Sequence, residues 1–291
     1  MSTSYTLKHS LRPGFEPVLR LLIDVCGTVG CAYFVAGATA RDIVLFHVFG
    51  RDPGRQTKDI DTAIMVADWS EYQSIRSALV AAGLTETRET HRLHHQSSGL
   101  PVDIIPFGGI ASAEGEIAWP PEFETVMSVA GFEEAFAAAI TVKLDASTEL
   151  KVCSMAGLAL LKLVAWRERR QQSNKDASDF LTLLDQYPHL QKDRLWESFL
   201  PLEQLEYKDS RLGAFLLGYD VSALLSPMTR EALEVMKQQE KMLLSDALIR
   251  SQRRQHVIPP EPDDCIQIEQ HIDDFFAGLR AGDPLQAVSG E

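Results

Sequence analysis

A chain of 291 residues with 45% apolar and 24% charged side chains has the balance of a globular protein with one large domain or two ordinary ones, which excludes disorder over most of its length. Its net charge of -13 excludes bulk attraction to nucleic acid phosphates, so a polynucleotide substrate would need a local basic patch. No run of eighteen apolar residues predicts a membrane span, MSTSYTLKHSLRPGFEP lacks the charged-then-apolar order of a signal peptide, and the expected location is cytoplasmic, with no membrane partner.

Leu19 to Val29 has helical periodicity and stops near Gly27 and Gly30. YFVAG (33–37) reads as a short strand ending in Gly, with Thr39 as N-cap of a helix over ARDIVLFHVF. GRDPGRQT (50–57) is turn-rich, and TKDIDTAIM (57–65) is a strand with two acids on one face. EYQSIRSALVAA is a helix closed by Gly83, LTETRETHRLHH (84–95) an exposed extended segment, and PVDIIPF (101–107) a strand limited by Pro at each end. GFEEAFAAA predicts a helix, and TVKL and ELKVC short strands.

From Met155 onward the pattern turns helical, with AGLALLKLVAWRERR, DASDFLTLLDQY, DRLWESFLPLEQL, RLGAFLLG, TREALEVMKQQEKMLLSDAL and CIQIEQHIDDFFAGLR carrying apolar faces; RRQHVIPPEPDD is a linker before the last. The fold class is therefore α+β: a mixed-sheet domain over 1–152 and an all-helical domain over 153–291. The four cysteines, Cys26, Cys31, Cys153 and Cys265, form no CxxC pair, which argues against structural zinc and against a disulfide framework.

Asp59 and Asp61 repel one another unless water or a cation lies between them. On a strand they stand about 6.5 to 7 Å apart, a spacing that suits carboxylates bracketing divalent ions. Asp103 is flanked by Val102, Ile104 and Ile105, so its charge is expected at the sheet interior or end and needs a partner. That partner is either a metal shared with Asp59 and Asp61, for which Mg²⁺ prefers such oxygen ligands, or a distant Arg such as Arg92. In VAGATARD, Gly37 permits close backbone approach and the turn feeds a helix whose unpaired N–H groups favour an anion. His91, His94 and His95 lack a zinc-binding pattern, and Trp69, Trp119, Trp166 and Trp196 read as packing residues.

AGATARD, then KDIDTAI, then VDIIPFGG together resemble the nucleotidyltransferase superfamily of DNA polymerase β type. GLALLKLVAWRERRQQSNKDASDFLTLL extends the likeness to the AbiEii-like toxin nucleotidyltransferases, over about residues 30–187. The family's Gly-Gly or Gly-Ser is Gly37-Ala38 here, with Thr39 supplying a hydroxyl. GATARD also resembles the Gly-Gly-x-x-Arg-Asp of CCA-adding enzymes, whose arginine-rich nucleotide-selecting motif is not visible.

The resemblance implies a polymerase β-like catalytic domain, the helical domain forming the other wall of a cleft, and transfer of an NMP from an NTP to an acceptor hydroxyl. Asp59, Asp61 and Asp103 would hold two Mg²⁺ ions, with Mn²⁺ as a substitute. Gly37, Ala38 and Thr39 would cradle the β- and γ-phosphates, with Arg41 and Lys58 within reach. Lys162 would neutralise phosphate and Asp176 would position it, although Asp176 and Asp179 also suit a helix start. The acceptor reads as tRNA or other RNA in a toxin-type enzyme with a cognate antitoxin. A small molecule as in antibiotic nucleotidyltransferases, a protein acceptor, or a catalytically silent nucleotide-binding module stay open beside it.

Overall fold

Val18, Leu19, Leu22 and Cys26 recur at helical spacing and are buried along one face of helix α1 (Phe15–Val29), which ends at Gly30 in the left-handed conformation that glycine tolerates. The computed structural model describes residues 4–255 and 262–283. The chain divides into two units, one ending at Ser154 and the other beginning at Met155. The centre of the expected linker RRQHVIPPEPDD, residues 256–261, lies outside the described residues.

In the first unit, β1 (Ser4–Thr6) precedes α1. Then follow β2 (Tyr33–Val35), α2 (Gly37–Asp42) running on through a wider π turn over Ile43–Val48, β3 (Ile60–Met65), α3 (Trp69–Ala81), β4 (Leu84–Glu86), β5 (Arg92–His95) and β6 (Pro101–Phe107). The hairpin β7 (Glu116–Trp119) and β8 (Thr125–Ser128), which the sequence patterning did not predict, leads to α4 (Phe132–Ala137), β9 (Ile140–Lys143) and β10 (Glu149–Val152). Eight of the strands form one mixed sheet in the order β1-β9-β10-β2-β3-β6-β5-β4.

Strands β3 and β6 lie side by side near the middle of the sheet and run parallel, while β2 and β5 flank them antiparallel. Central position explains their apolar content. Ile60, Ala63, Ile64, Val102, Ile104 and Phe107 are buried, and Phe34 and Phe107 meet edge to face beside Phe132 and Phe136. Helix α3 begins at a reciprocal cap: the Asp68 carboxylate accepts from the Glu71 N–H at 2.9 Å, and Glu71 accepts from the Ala67 N–H at 2.6 Å.

The second unit is helical: α5 (Met155–Arg169), α6 (Lys175–Leu190), α7 (Asp209–Ser222), α8 (Pro227–Val235), a π turn over Met236–Glu240, α9 (Lys241–Gln255) and α10 (Pro262–Ala281). A Cβ added at Gly218 would lie 1.9 Å from the Phe275 carbonyl oxygen, and one at Gly278 1.9 Å from that of Phe215, so glycine on both helices lets the α7 and α10 backbones touch. The helix expected over DRLWESFLPLEQL does not form. After a 3₁₀ turn at Lys192–Arg194 the chain makes irregular turns, because Pro201 lacks a backbone donor and biases Leu200 away from helical geometry. Among the described residues no helix is long and apolar enough to cross a membrane.

Candidate active site

Strand register places Asp61 of β3 directly beside Asp103 of β6, and Asp103 directly beside Arg92 of β5, so two acids and an arginine form a row across three neighbouring strands. Asp59 stands two residues before Asp61, just ahead of β3. Asp59, Asp61 and Asp103 each offer a carboxylate oxygen, and the three oxygens lie within 4.8 Å of one another. Among the described residues this is the one such group of metal-ligating side chains, and the histidines of β5 join none. Hard oxygen donors at this spacing fit Mg²⁺ or Mn²⁺.

The burial of these acids differs. Asp103 is 8% exposed as a residue and 12% in its side chain, whereas the Asp59 side chain is 36% exposed. Asp103 has the partner its burial demands. Arg92 donates from Nε to Oδ1 at 2.6 Å and from Nη2 to Oδ2 at 2.7 Å, and the same guanidinium lies 3.7 Å from Asp59 and 3.4 Å from Glu89. Hydrogen bonding to Asp103 raises the Arg92 pKa against the opposing cost of burial. Arg92 is thus the arginine partner that the sequence offered for Asp103.

The turn after β2 meets this row from the side. The Ala36 N–H donates to the Asp61 carbonyl at 2.9 Å, extending the ladder by one residue, and Gly37 then turns with φ +57°. A Cβ at Gly37 would lie 2.2 Å from Asp61 Oδ2 and 2.5 Å from its Cγ, so the carboxylate fills the space a side chain would need. Gly37→Ala is therefore expected to destabilise the first unit by about 3 kcal/mol, combining left-handed strain with overpacking. Urea unfolding checks this, and a loss below about 0.5 kcal/mol would contradict the close approach.

The Ala38 N–H, expected to face phosphate, donates to Asp61 Oδ2 at 3.2 Å. Thr39 is not the helix cap that the sequence predicts. The helix starts at Gly37, three residues earlier than that cap implies, and the buried Thr39 hydroxyl donates to the Asp59 carbonyl at 2.8 Å, tying the helix to the entry of β3.

Arg41 was expected to reach nucleotide, and the structure corrects that. It is 3% exposed, pairs with Asp42 at 3.0 Å and donates to the Arg55 carbonyl at 2.5 Å, so its charge is spent inside the fold. Asp42 is the centre of a network that sequence reading missed. It accepts from Arg12 at 2.7 Å and from the Thr57 N–H at 3.2 Å, while the Thr57 hydroxyl donates to Asp59 Oδ1 at 2.5 Å. The Arg-Asp pair at the end of GATARD was its one visible signal. Lys58 is exposed beside Asp59.

In the second unit Lys162 of α5 lies 3.1 Å from Asp176 and 2.6 Å from Asp179, both on the first turns of α6. Arg169 adds a two-pronged contact to Asp176 at 2.7 and 2.9 Å. Asp176, 1% exposed, thus pairs with Lys162 as well as standing at a helix start. Burial pushes its carboxyl pKa up, but hydrogen bonds from Arg169 and the Lys162 charge pull it below the usual range.

No known family model matches the sequence, and no curated protein matches it. Solved structures do show likenesses. An antigenic nucleotidyltransferase-like protein from Paracoccidioides brasiliensis is 15% identical, over 80% of this chain and 91% of that one, with a TM-score of 0.40. The antibiotic-resistance factor ANT(2'')-Ia is 12% identical, over 57% of this chain and 80% of that one, at 0.35. The Elizabethkingia meningoseptica CdnE cyclic dinucleotide synthase is 10% identical, over 95% of this chain and 92% of that one, at 0.26. Likenesses this distant carry no argument about chemistry, which rests on the side chains.

Proposed function

We propose that this chain is a divalent-cation-dependent nucleotidyltransferase of the polymerase β type, moving an NMP from an NTP to an acceptor hydroxyl with release of pyrophosphate. What supports the reading is the row of Asp61 and Asp103 in register on adjacent parallel strands, with Asp59 alongside and a glycine turn packed against Asp61. Asp59, Asp61 and Asp103 would hold two Mg²⁺ ions, with Mn²⁺ able to substitute. Bound there, Mg²⁺ supplies Lewis-acid activation and neutralises phosphate charge.

The acceptor oxygen forms a bond to the α-phosphorus, the bond to the pyrophosphate oxygen breaks, and the hydroxyl proton passes to Asp103 or to solvent. Gly37, Ala38 and Thr39 form the proposed seat of the β- and γ-phosphates, where the Ala38 N–H would exchange Asp61 for a phosphate oxygen. Exposed Lys58 is the proposed contact from the solvent side. In the helical unit, Lys162 is held by Asp176.

A net charge of -13 supports an acceptor that is not itself a polyanion, and we take a small molecule as the first candidate, with RNA second. Incubation with each α-labelled NTP, Mg²⁺ and an acceptor set of aminoglycosides, total RNA including tRNA, or protein is expected to transfer label with release of pyrophosphate. Transfer to RNA would restore the toxin-type reading. No transfer in any arm, with Asp59→Ala leaving metal affinity unchanged, would overturn the enzyme reading in favour of a catalytically silent module.

A further inference from the structure

Arg92 stands among three carboxylates. Toward the sheet its guanidinium takes both oxygens of Asp103, at 2.6 and 2.7 Å, and lies 3.7 Å from Asp59. Toward solvent it lies 3.4 Å from Glu89, whose side chain is 54% exposed. The loop between them is tight: the Arg92 N–H donates to the Glu89 carbonyl at 3.1 Å, and the Thr87 hydroxyl reaches the carbonyls of both residues. Glu89 is thus held one turn from Arg92, its carboxylate 3.4 Å from the same Nε that donates to Asp103.

A paired guanidinium on Asp103 satisfies the carboxylate by charge and by geometry, which are the two things a divalent cation would supply there. It also sets a positive charge beside the position any ion shared by Asp59 and Asp103 would take, and like charges so close repel. The Asp103 charge is therefore balanced from within the fold, so this buried carboxylate can fold without an ion.

Resting on the metal-site reading above, we propose that Arg92 is the resident counter-cation of Asp103, and that it yields this carboxylate to an incoming divalent cation by moving onto Glu89. Arg92 competes with the metal in this arrangement, and Glu89 favours the metal by offering the displaced guanidinium a second carboxylate.

The test is Mn²⁺ binding to the full chain, by calorimetry or by loss of the free-ion paramagnetic resonance signal, with no nucleotide and no turnover. Arg92→Gln is expected to bind Mn²⁺ at least tenfold more tightly than wild type. Its melting temperature should fall without metal and recover on adding Mn²⁺. Glu89→Gln, a change at a side chain 54% exposed, is expected to bind Mn²⁺ at least threefold more weakly, and it decides the matter should Arg92→Gln fail to fold. Mn²⁺ binding that Asp61→Asn abolishes, but that Arg92→Gln leaves equal or weaker or Glu89→Gln leaves equal or tighter, overturns the competition and spares the metal site. No Mn²⁺ binding to wild type or to any variant overturns both.

Discussion

Asp61→Asn is expected to lower nucleotidyl transfer by about three decades or more, equivalent to roughly 4 kcal/mol of lost transition-state stabilisation. The substitution keeps the shape and an acceptor oxygen, so the contact from the Ala38 N–H and the fit against Gly37 survive. What disappears is one of three negative charges within 4.8 Å of one another. Stability should therefore change by about 1 kcal/mol or less, because relief of repulsion offsets the weaker hydrogen bond. Initial rates at saturating Mg²⁺, read beside a urea unfolding curve, check both parts. A variant that folds normally and keeps more than a tenth of wild-type activity would remove Asp61 from the site.

Asp176→Asn is expected to act on stability, and by more than any surface change: about 3 kcal/mol lost at pH 7 from the helical unit. The reason is asymmetry of burial. Asp176 is 1% exposed in its side chain and Lys162 15%, so losing the carboxylate leaves a largely buried ammonium with one carboxylate fewer beside it. Arg169, half exposed, can turn to water, which keeps the cost at the low end for a broken buried pair.

The pH dependence has a definite sign. The folded-state pKa of Asp176 is depressed, so its contribution is complete above the unfolded carboxylate pKa of about 3.9 and is lost as pH falls through the lower folded value. Wild type and variant should thus differ near neutrality and converge in strong acid. Urea midpoints at pH 7 and at pH 3 measure it, and a difference at pH 7 below about 1 kcal/mol would show that the cluster contributes little.

The residue pattern was enough to read the α+β class, the two central strands, Gly37 at the turn and the three acids, because each has a local cause. Strand alternation sets which residues share a face, and apolar neighbours around Asp103 imply burial wherever the strand is placed. The pattern misled where local preference competes with a distant contact. Thr39 looks like a helix cap, yet its hydroxyl is taken by the Asp59 carbonyl; Arg41 looks like a nucleotide contact beside a phosphate turn, yet Asp42 and the Arg55 carbonyl enclose it. The loop 192–208 has helical periodicity that Pro201 defeats.

By itself, then, the sequence determined the candidates: two acids at the start of one strand, a third on another, and a glycine between a strand and its helix. Only the tertiary structure decided the register that sets Asp103 between Asp61 and Arg92, and so gives Asp103 an arginine partner. Strand pairing joins residues 11 and 42 positions apart through backbone hydrogen bonds. A shift of one residue in either ladder would turn those charges to opposite faces, and no local pattern in the chain encodes that alignment.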